Sequence, residues 1–277
     1  MNTKQIIVVV IVVALMGGLL ASPIKGLVTE DKGATASTNT ESTSPFNFSS
    51  VSEITKQSIN ANLAQEITAV EGKIKDSSGE EKLALLEQLA QKWDDLAKFA
   101  PQGFIYEEMA KITPKFEYWL NAGNSYRSAY TNLQDTAMAA ELNRLAINSY
   151  EQAIALDGNN LDAKTGLGAA LVTGTNNPMA GISLLMEVVK KDPKNIQANK
   201  TLGLFSLQSR QFDKAIERFK TVSELQPDAE SYFYLATGYE NIGLKNEAIA
   251  AFSKSKELAA DPTLSQFIDR KVEELSK

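Results

Sequence analysis

Cysteine and histidine are both absent from the 277 residues of this chain. Without cysteine there is no disulfide, no thiol nucleophile and no lipid attached to a cysteine. Without histidine the commonest general base is missing, and the absence of both residues excludes nearly every zinc site. We therefore expect neither a metal site nor a cofactor.

The chain also lacks a surplus of positive charge, because it contains 28 Lys and Arg residues against 34 Asp and Glu residues, which gives a net charge of −6. A nucleic-acid-binding protein would show a basic face, so we expect no nucleic acid as a partner. Adjacent acidic pairs such as Asp94-Asp95 point about 100° apart on a helix, which suits a solvated surface better than a catalytic dyad. The sequence thus predicts no catalytic residues and no enzyme; a carboxylate pair brought together by the fold is the alternative.

One long hydrophobic run is present, near the N-terminus. Lys4 and Lys25 bracket twenty uncharged residues, a length that fits a short transmembrane helix over 5–24. A cleaved signal peptide is the alternative, although Leu19-Leu20-Ala21-Ser22 lacks a good small-x-small cleavage site. We predict an uncleaved, single-pass anchor in an inner (cytoplasmic) membrane. Because a short basic tail usually stays in the cytoplasm, the rest of the chain is expected on the periplasmic side, with a cytosol-facing receptor as the alternative.

Two segments follow this run. Residues 25–50 are rich in Ser, Thr and Asn and predict a flexible, disordered linker. Residues 51–76 predict an N-terminal amphipathic helix opened by a capping box that starts at Ser50. Its apolar stripe consists of Ile59, Leu63, Ile67, Val70 and Ile74. This stripe either packs on the next helices or pairs as a coiled coil in a weak homodimer, and about two heptads of pattern favour packing.

A pattern of two helices recurs over most of the remaining chain, at a spacing near 34 residues. The clearest copy contains Leu202-Gly203, Ala215, Phe219 and Pro227, and the next contains Leu235-Ala236, Ala248 and Phe252. Offsets of three and four place these residues on one face of each helix, and the small residue lets the partner helix approach closely. Neither helix can bury its stripe alone, so stacked helix pairs are expected, with a generic amphipathic bundle as the alternative.

An earlier copy contains Trp119, Ala122-Gly123, Tyr126, Ala146, Tyr150 and Ala153. Together these copies resemble the consensus of the tetratricopeptide repeat (TPR). The resemblance implies an all-α fold, a right-handed superhelical solenoid of about five helix pairs over 79–261. The approximate repeats are 83–115, 116–160, 161–195, 196–228 and 229–261, and residues 262–277 predict a C-terminal capping helix.

Two repeats depart from this pattern. In the first, Gln102 stands where a small residue is expected. In the second, extra residues within Ser128–Leu145 predict longer helices with a turn near Gln134-Asp135, projecting from the stack as a finger.

The resemblance also implies that ligands bind along the concave face lined by the first helix of each repeat. On that face Leu204, Leu207 and Phe233 form a candidate apolar centre for a protein or peptide partner. Asn124, Arg127 and Lys200 are candidate hydrogen-bond donors beside it. The alternative is that the apolar residues are buried between repeats or under a terminal helix.

Two functions are consistent with this sequence. The first is a non-catalytic, membrane-tethered scaffold that mediates protein–protein interaction, in assembly of a cell-envelope complex. The second is an extracytoplasmic holdase, or translocation-associated chaperone, that binds many unfolded chains. A scaffold would lose binding when one apolar anchor is changed, whereas a holdase would tolerate the change.

Overall fold

The computed structural model describes residues 46–131 and 133–277. These ranges contain thirteen α-helices and no strand. In chain order they are α1 (Phe48–Lys56), α2 (Ala61–Asp76), α3 (Gly79–Asp95), α4 (Phe99–Ile112), α5 (Phe116–Tyr130), α6 (Thr136–Leu156), α7 (Leu161–Gly174), α8 (Pro178–Lys191), α9 (Ile196–Gln208), α10 (Phe212–Leu225), α11 (Ala229–Asn241), α12 (Lys245–Leu258) and α13 (Pro262–Leu275). The predicted membrane segment 5–24 lies outside the described residues, as does the predicted linker up to residue 45. Among the helices described, none is long and apolar enough to span a bilayer.

Five consecutive helix pairs, from α3–α4 to α11–α12, form an all-α solenoid of repeated units. From α2 onward each helix packs mainly on its neighbours in the chain, whereas α1 packs mainly on α4. Glycines in the first helices make this packing close. A Cβ added to Gly123 would lie 2.7 Å from the ring of Tyr150, and one added to Gly203 would lie 2.8 Å from the ring of Phe219. The close approach predicted from the small residues is therefore confirmed.

Asparagine and aspartate side chains fix where several first helices begin. Asn160 accepts hydrogen bonds from two N–H groups in the first turn of α7, at 3.0 and 3.1 Å. Asn195 caps α9 in the same way, and Asp228 forms a reciprocal capping box with Ser231 at the start of α11. These bonds satisfy N–H groups that no helical carbonyl reaches, and each stabilises its helix by about 1 kcal/mol. Ser78, which has capping-box spacing in the sequence, makes no such bond.

Gln102, the exception in the first repeat, is buried but fully engaged in hydrogen bonds. Its Nε2 donates to the carboxylate of Asp94 at 3.0 Å and to the carbonyl of Ala90 at 3.4 Å, and its Oε1 accepts from the hydroxyl of Ser125 at 3.1 Å. The small residue needed for packing stands one position later, because a Cβ on Gly103 would lie 2.6 Å from the ring of Tyr126. The first repeat thus joins the second through a buried polar group.

The N-terminal segment 51–76 differs from the single helix predicted for it. It forms two helices, and α1 begins at Phe48, inside the segment predicted as linker. Asn47, and not Ser50, is the N-cap of α1, while Asn60 caps α2. The buried Lys56 joins the two helices, because its ammonium lies 2.6 Å from Glu53 of α1 and 2.9 Å from Glu71 of α2.

The apolar stripe of this segment is used within the chain. Ile67 and Val70 are buried in a cluster with Leu89 and Trp93 of α3, and Ile59 and Ile74 lie partly buried beside them. Only Leu63 of the five stripe residues is exposed. Most of the stripe therefore packs within the chain, as in the packing interpretation, and the weak homodimer through 51–76 stays a prediction.

The insertion in the second repeat is not a free finger. Helix α6, with 21 residues, is extended as predicted and is capped by Asp135, whereas α5, with 15 residues, is close in length to the later first helices. Leu142 and Asn143, at the base of the extension, are only 1% and 3% exposed. Asn143 packs directly over Gly174 at the end of α7. The base is covered because α7 is the neighbouring first helix, whereas residues 134–137 at the turn are exposed.

The chain ends with α13, in the segment predicted as the capping helix. Asp261 caps it, and Pro262 occupies its first turn, where a missing N–H has no consequence. Ile268 is fully buried in the cluster formed by the last two repeats. Most of the remaining surface of α13 is exposed or half-buried, as expected for a helix that closes a stack.

Candidate functional site

The predicted apolar centre exists as one cluster near the C-terminal end of the stack. Leu204, Leu207 and Phe233 are half-buried and pack against the core formed by α10, α11, α12 and α13. The ring centroid of Phe233 lies 5.6 Å from that of Phe252 and 5.8 Å from that of Phe267. These three residues therefore share one environment, but α13 covers part of it.

A cavity of about 590 Å³ opens beside Phe233. Its lining consists of Phe233, Thr237, Glu240, Asn241, Phe252, Phe267 and Lys271. Three phenylalanine rings supply the apolar wall, and Lys271 bridges to Glu240 at 2.8 Å on the polar side. Phe267 keeps 38% of its surface exposed, which is unusual for a large apolar side chain that is already in contact with two others.

Phe267 and Lys271 were missed by sequence reasoning. Both belong to α13, which lies after the last repeat and has no counterpart in the repeat pattern. Their spacing of four on an amphipathic helix was the available signal.

Lys200, a predicted hydrogen-bond donor, donates to two carboxylates of the next repeat. Its ammonium lies 2.9 Å from the carboxylate of Asp228 and 3.4 Å from that of Glu230. Burial alone would lower the pKa of Lys200, but the hydrogen bond and charge of Asp228, followed by those of Glu230, outweigh it and raise the pKa. Lys200 therefore joins α9 to α11, and its charge is already compensated.

Asn124 and Arg127 are together, but at the other end of the stack. The hydroxyl of Tyr150 donates to Oδ1 of Asn124 at 2.8 Å. Burial raises the pKa of Tyr150 to about 12, although the nearby Arg127 guanidinium opposes the shift. Nε of Arg127 is buried and has no hydrogen-bond partner in the described ranges. Both side chains thus hold Tyr150 between repeats, which corrects their prediction as donors beside the apolar centre.

A second cavity, of about 240 Å³, lies between α3, α4 and α5. It is lined by Asp94, Phe99, Gln102, Tyr106, Asn121, Asn124, Ser125 and Ser128. Asn124 therefore belongs to this cavity, whereas Phe233 lines the larger one. The six predicted residues do not form one site.

Comparison with known proteins rests on structure, because no family model and no curated protein matches the chain. The crystal structure of MamA has a TM-score of 0.50 at 24% identity, covering 65% of this chain and 92% of MamA. The MamA RS-1 ArsTM double mutant has a TM-score of 0.51 at 21% identity, covering 66% of this chain and 96% of its own. TTC0263, a thermophilic TPR protein of Thermus thermophilus, has a TM-score of 0.50 at 18% identity, covering 68% of this chain and 97% of its own.

The described residues have a TPR-like fold. Identities below 25% show the fold and nothing finer.

Proposed function

We propose that this protein is a non-catalytic scaffold that binds a segment of a protein partner on the face lined by its first helices. The main anchor site is the cavity at Phe233. The observation that supports this choice is the partly exposed ring of Phe267, which stands with Phe233 and Phe252 around an open space of about 590 Å³.

The size and chemistry of this cavity suit an apolar side chain from a peptide. Its volume lies within the roughly 300–1,000 Å³ typical of ligand pockets. Aromatic walls contribute most of the binding energy in such sites, while a few polar groups fix orientation. Here Glu240 and Lys271 pair with each other at 2.8 Å, but an ammonium has three donors and a carboxylate several acceptor sites, so both groups, together with Asn241, can still hydrogen-bond the backbone of an entering segment.

The proposal includes a membrane tether over 5–24, followed by the linker, with the solenoid on the periplasmic side. Its support is the apolar run of twenty uncharged residues between Lys4 and Lys25. In this arrangement the partner belongs to a cell-envelope complex. A holdase that binds many unfolded chains is the competing outcome.

A photo-crosslinking experiment in living cells separates these functions. A photoreactive residue replaces Asn241, which is exposed at the cavity, and in a matched control it replaces Glu224, which is exposed outside it. A scaffold gives one discrete product from position 241 that the control does not give. A ladder of many products would mean a holdase, and equal products from both positions would refute the cavity as the site.

A pair of truncations tests the anchor. Phe267→Ala removes a ring from the cavity, whereas Leu258→Ala removes a side chain of 39% exposure that lies outside it. We expect Phe267→Ala to reduce the discrete crosslink at least tenfold, as for an aromatic anchor, and Leu258→Ala to leave it unchanged. Circular dichroism of both variants checks that the helices are intact.

A further inference from the structure

We propose that the smaller cavity, between α3, α4 and α5, binds the side chain of a lysine or arginine from a protein partner. This inference extends the proposed function, because it specifies the chemistry of the partner at the opposite end of the stack. It rests on the shape, the lining and the charge of the cavity.

The volume of the cavity limits its occupant to a single side chain. About 240 Å³ is below the range of pockets that take drug-sized ligands. Phe99 and Tyr106 provide two half-buried aromatic walls, and Asn121 and Asn124 provide amide groups along α5. A long, slender side chain with a polar end fits such a lining better than a compact apolar one.

The charge at the cavity selects a cation. Asp94 lines it, and Glu87 lies on the same face of α3, two turns earlier. Each carboxylate is held by a neutral donor: Asp94 by Gln102 at 3.0 Å, and Glu87 by the hydroxyl of Tyr118 at 3.3 Å. No lysine or arginine in the described ranges forms an ion pair with either of them. Other carboxylates between helices of the solenoid, such as Glu108, Glu187 and Asp228, are paired with a lysine.

Hydrogen bonding leaves an acceptor open at this carboxylate. Gln102 donates to Oδ1 of Asp94, and Oδ2 accepts no hydrogen bond from the described residues. Because Gln102 is itself fixed by Ser125, the carboxylate is held in position before any ligand arrives. An ammonium or guanidinium group in the cavity can therefore donate to Oδ2 at little cost in side-chain entropy.

Tyr106 reports the same negative field. Its pKa is raised by burial and, after that, by the charges of Asp94 and Glu87. A cation over the face of a tyrosine ring is attracted by the ring itself, by about 0.5–1 kcal/mol at exposed sites. Arg127, on the same helix as Asn121 and Asn124, does not line the cavity and is directed to Tyr150. The cavity therefore combines an aromatic wall with an uncompensated carboxylate.

The test uses a small cationic probe and needs no natural partner. The full chain in mild detergent is irradiated with N-acetyl-photo-lysine methylamide, which carries a diazirine and a free amine, and labelled peptides are mapped by mass spectrometry. We expect label on peptides that contain Tyr106 or Asn121. N-acetyl-lysine and N-acetyl-arginine methylamides should compete, whereas the norleucine and glutamate analogues should not.

A matched pair of substitutions makes the test specific. Asp94→Asn keeps an oxygen for Gln102 but removes the charge, and we expect labelling to fall by roughly three- to tenfold. Asp95→Asn removes a charge one position away, outside the cavity lining, and should leave labelling unchanged. Equal competition by norleucine, equal effects of the two substitutions, or label only elsewhere would each overturn the inference.

The two proposals fail in different ways. If the probe labels this cavity but position 241 crosslinks no discrete protein, the cation site stands and the scaffold proposal falls. If position 241 gives a discrete product and the probe labels nothing here, the reverse holds.

Discussion

Two glycines in helix interiors are expected to respond to alanine with opposite signs. Gly72 lies in α2 with nothing within 4 Å of the position of an added Cβ. Gly166 lies in α7, where an added Cβ would stand 2.3 Å from two ring carbons of Tyr150. The same substitution therefore isolates packing from backbone preference.

The backbone contribution is common to both sites. Alanine is favoured over glycine in a helix interior by about 1 kcal/mol. At Gly72 this contribution acts alone, so Gly72→Ala should stabilise the protein by up to about 1 kcal/mol.

At Gly166 the clash outweighs this gain. The ring of Tyr150 is fully buried, and it cannot swing away because the backbone of Gly123 approaches it as well, with an added Cβ there at 2.7 Å. Overpacking a core typically costs about 1–3 kcal/mol, and two contacts this short place Gly166→Ala at or above the upper end. The net effect is a destabilisation of about 2 kcal/mol once the backbone gain is subtracted.

Thermal unfolding followed by far-UV circular dichroism measures both changes. For a protein of this size, 1 kcal/mol corresponds to a shift in Tm of about 2–4 °C. We expect Gly72→Ala to raise the Tm by up to this amount and Gly166→Ala to lower it by about 4–8 °C. A Tm that rises in Gly166→Ala as in Gly72→Ala would refute the placement of Tyr150 between the second and third repeats.

The remaining predictions concern three polar groups. Asp228→Ala removes the N-cap of α11 and the partner of Lys200, and should cost about 1–2 kcal/mol in urea unfolding, whereas Asp228→Asn, which still caps, should cost less. Burial would raise the pKa of Asp228, but the hydrogen bonds from Ser231 and Lys200 outweigh burial and lower the pKa. The stabilisation by the Asp228 carboxylate is therefore present above about pH 4 and is lost as pH falls through the lowered pKa. Thermal melts from pH 6 to 2 should show a loss of stability that Asp228→Asn lacks. Burial would lower the pKa of Lys56, but the hydrogen bonds to Glu53 and Glu71 outweigh burial and raise the pKa. The stabilisation by the Lys56 ammonium is therefore complete below about pH 10 and is lost above it. The Tm values at pH 8 and pH 11 should differ less in Lys56→Met than in the unchanged protein. Gln102→Met should cost about 1–3 kcal/mol, because the hydroxyl of Ser125 loses its acceptor, and a neutral result in urea unfolding would contradict the buried network.

The helix pairs could be predicted because they depend on local periodicity. Gly203 with Phe219 and Gly123 with Tyr150 lie on adjacent helices, so residue spacing alone specifies which residues meet. The N-terminal segment was predicted less well, because two helices occupy the range 51–76 that was predicted as one helix. The predicted stripe begins at Ile59, between α1 and α2, so its spacing does not show where either helix ends, whereas the cap at Asn60 marks the start of α2. The regular recurrence of caps at Asn160, Asn195, Asp228 and Asp261 was a second repeat signal that went unused.

The candidate site was only partly predictable, because its polar residues depend on contacts between repeats. Leu204 and Leu207 were selected from α9 and Phe233 from α11, on matching stripes of two first helices, and all three pack against the same core. Lys200 meets Asp228 from the next repeat, and Asn124 meets Tyr150 from the second helix of its own repeat. Whether a donor is free or already paired is decided by such partners, and a stripe on a single helix carries no information about them.

The nearest-neighbour packing of the helices has a consequence for how the two cavities work together. Within the described ranges, helices in substantial contact are separated by at most two other helices in the chain. Helix α13 therefore makes no substantial contact with α3, and a change at α13 does not act on α3 directly. The cavities at the two ends should therefore bind independently, without one altering the intrinsic affinity of the other. A partner long enough to fill both still gains, because the first contact raises the local concentration of the second group. The length of the stack would then select partners by the distance between an apolar residue and a basic residue.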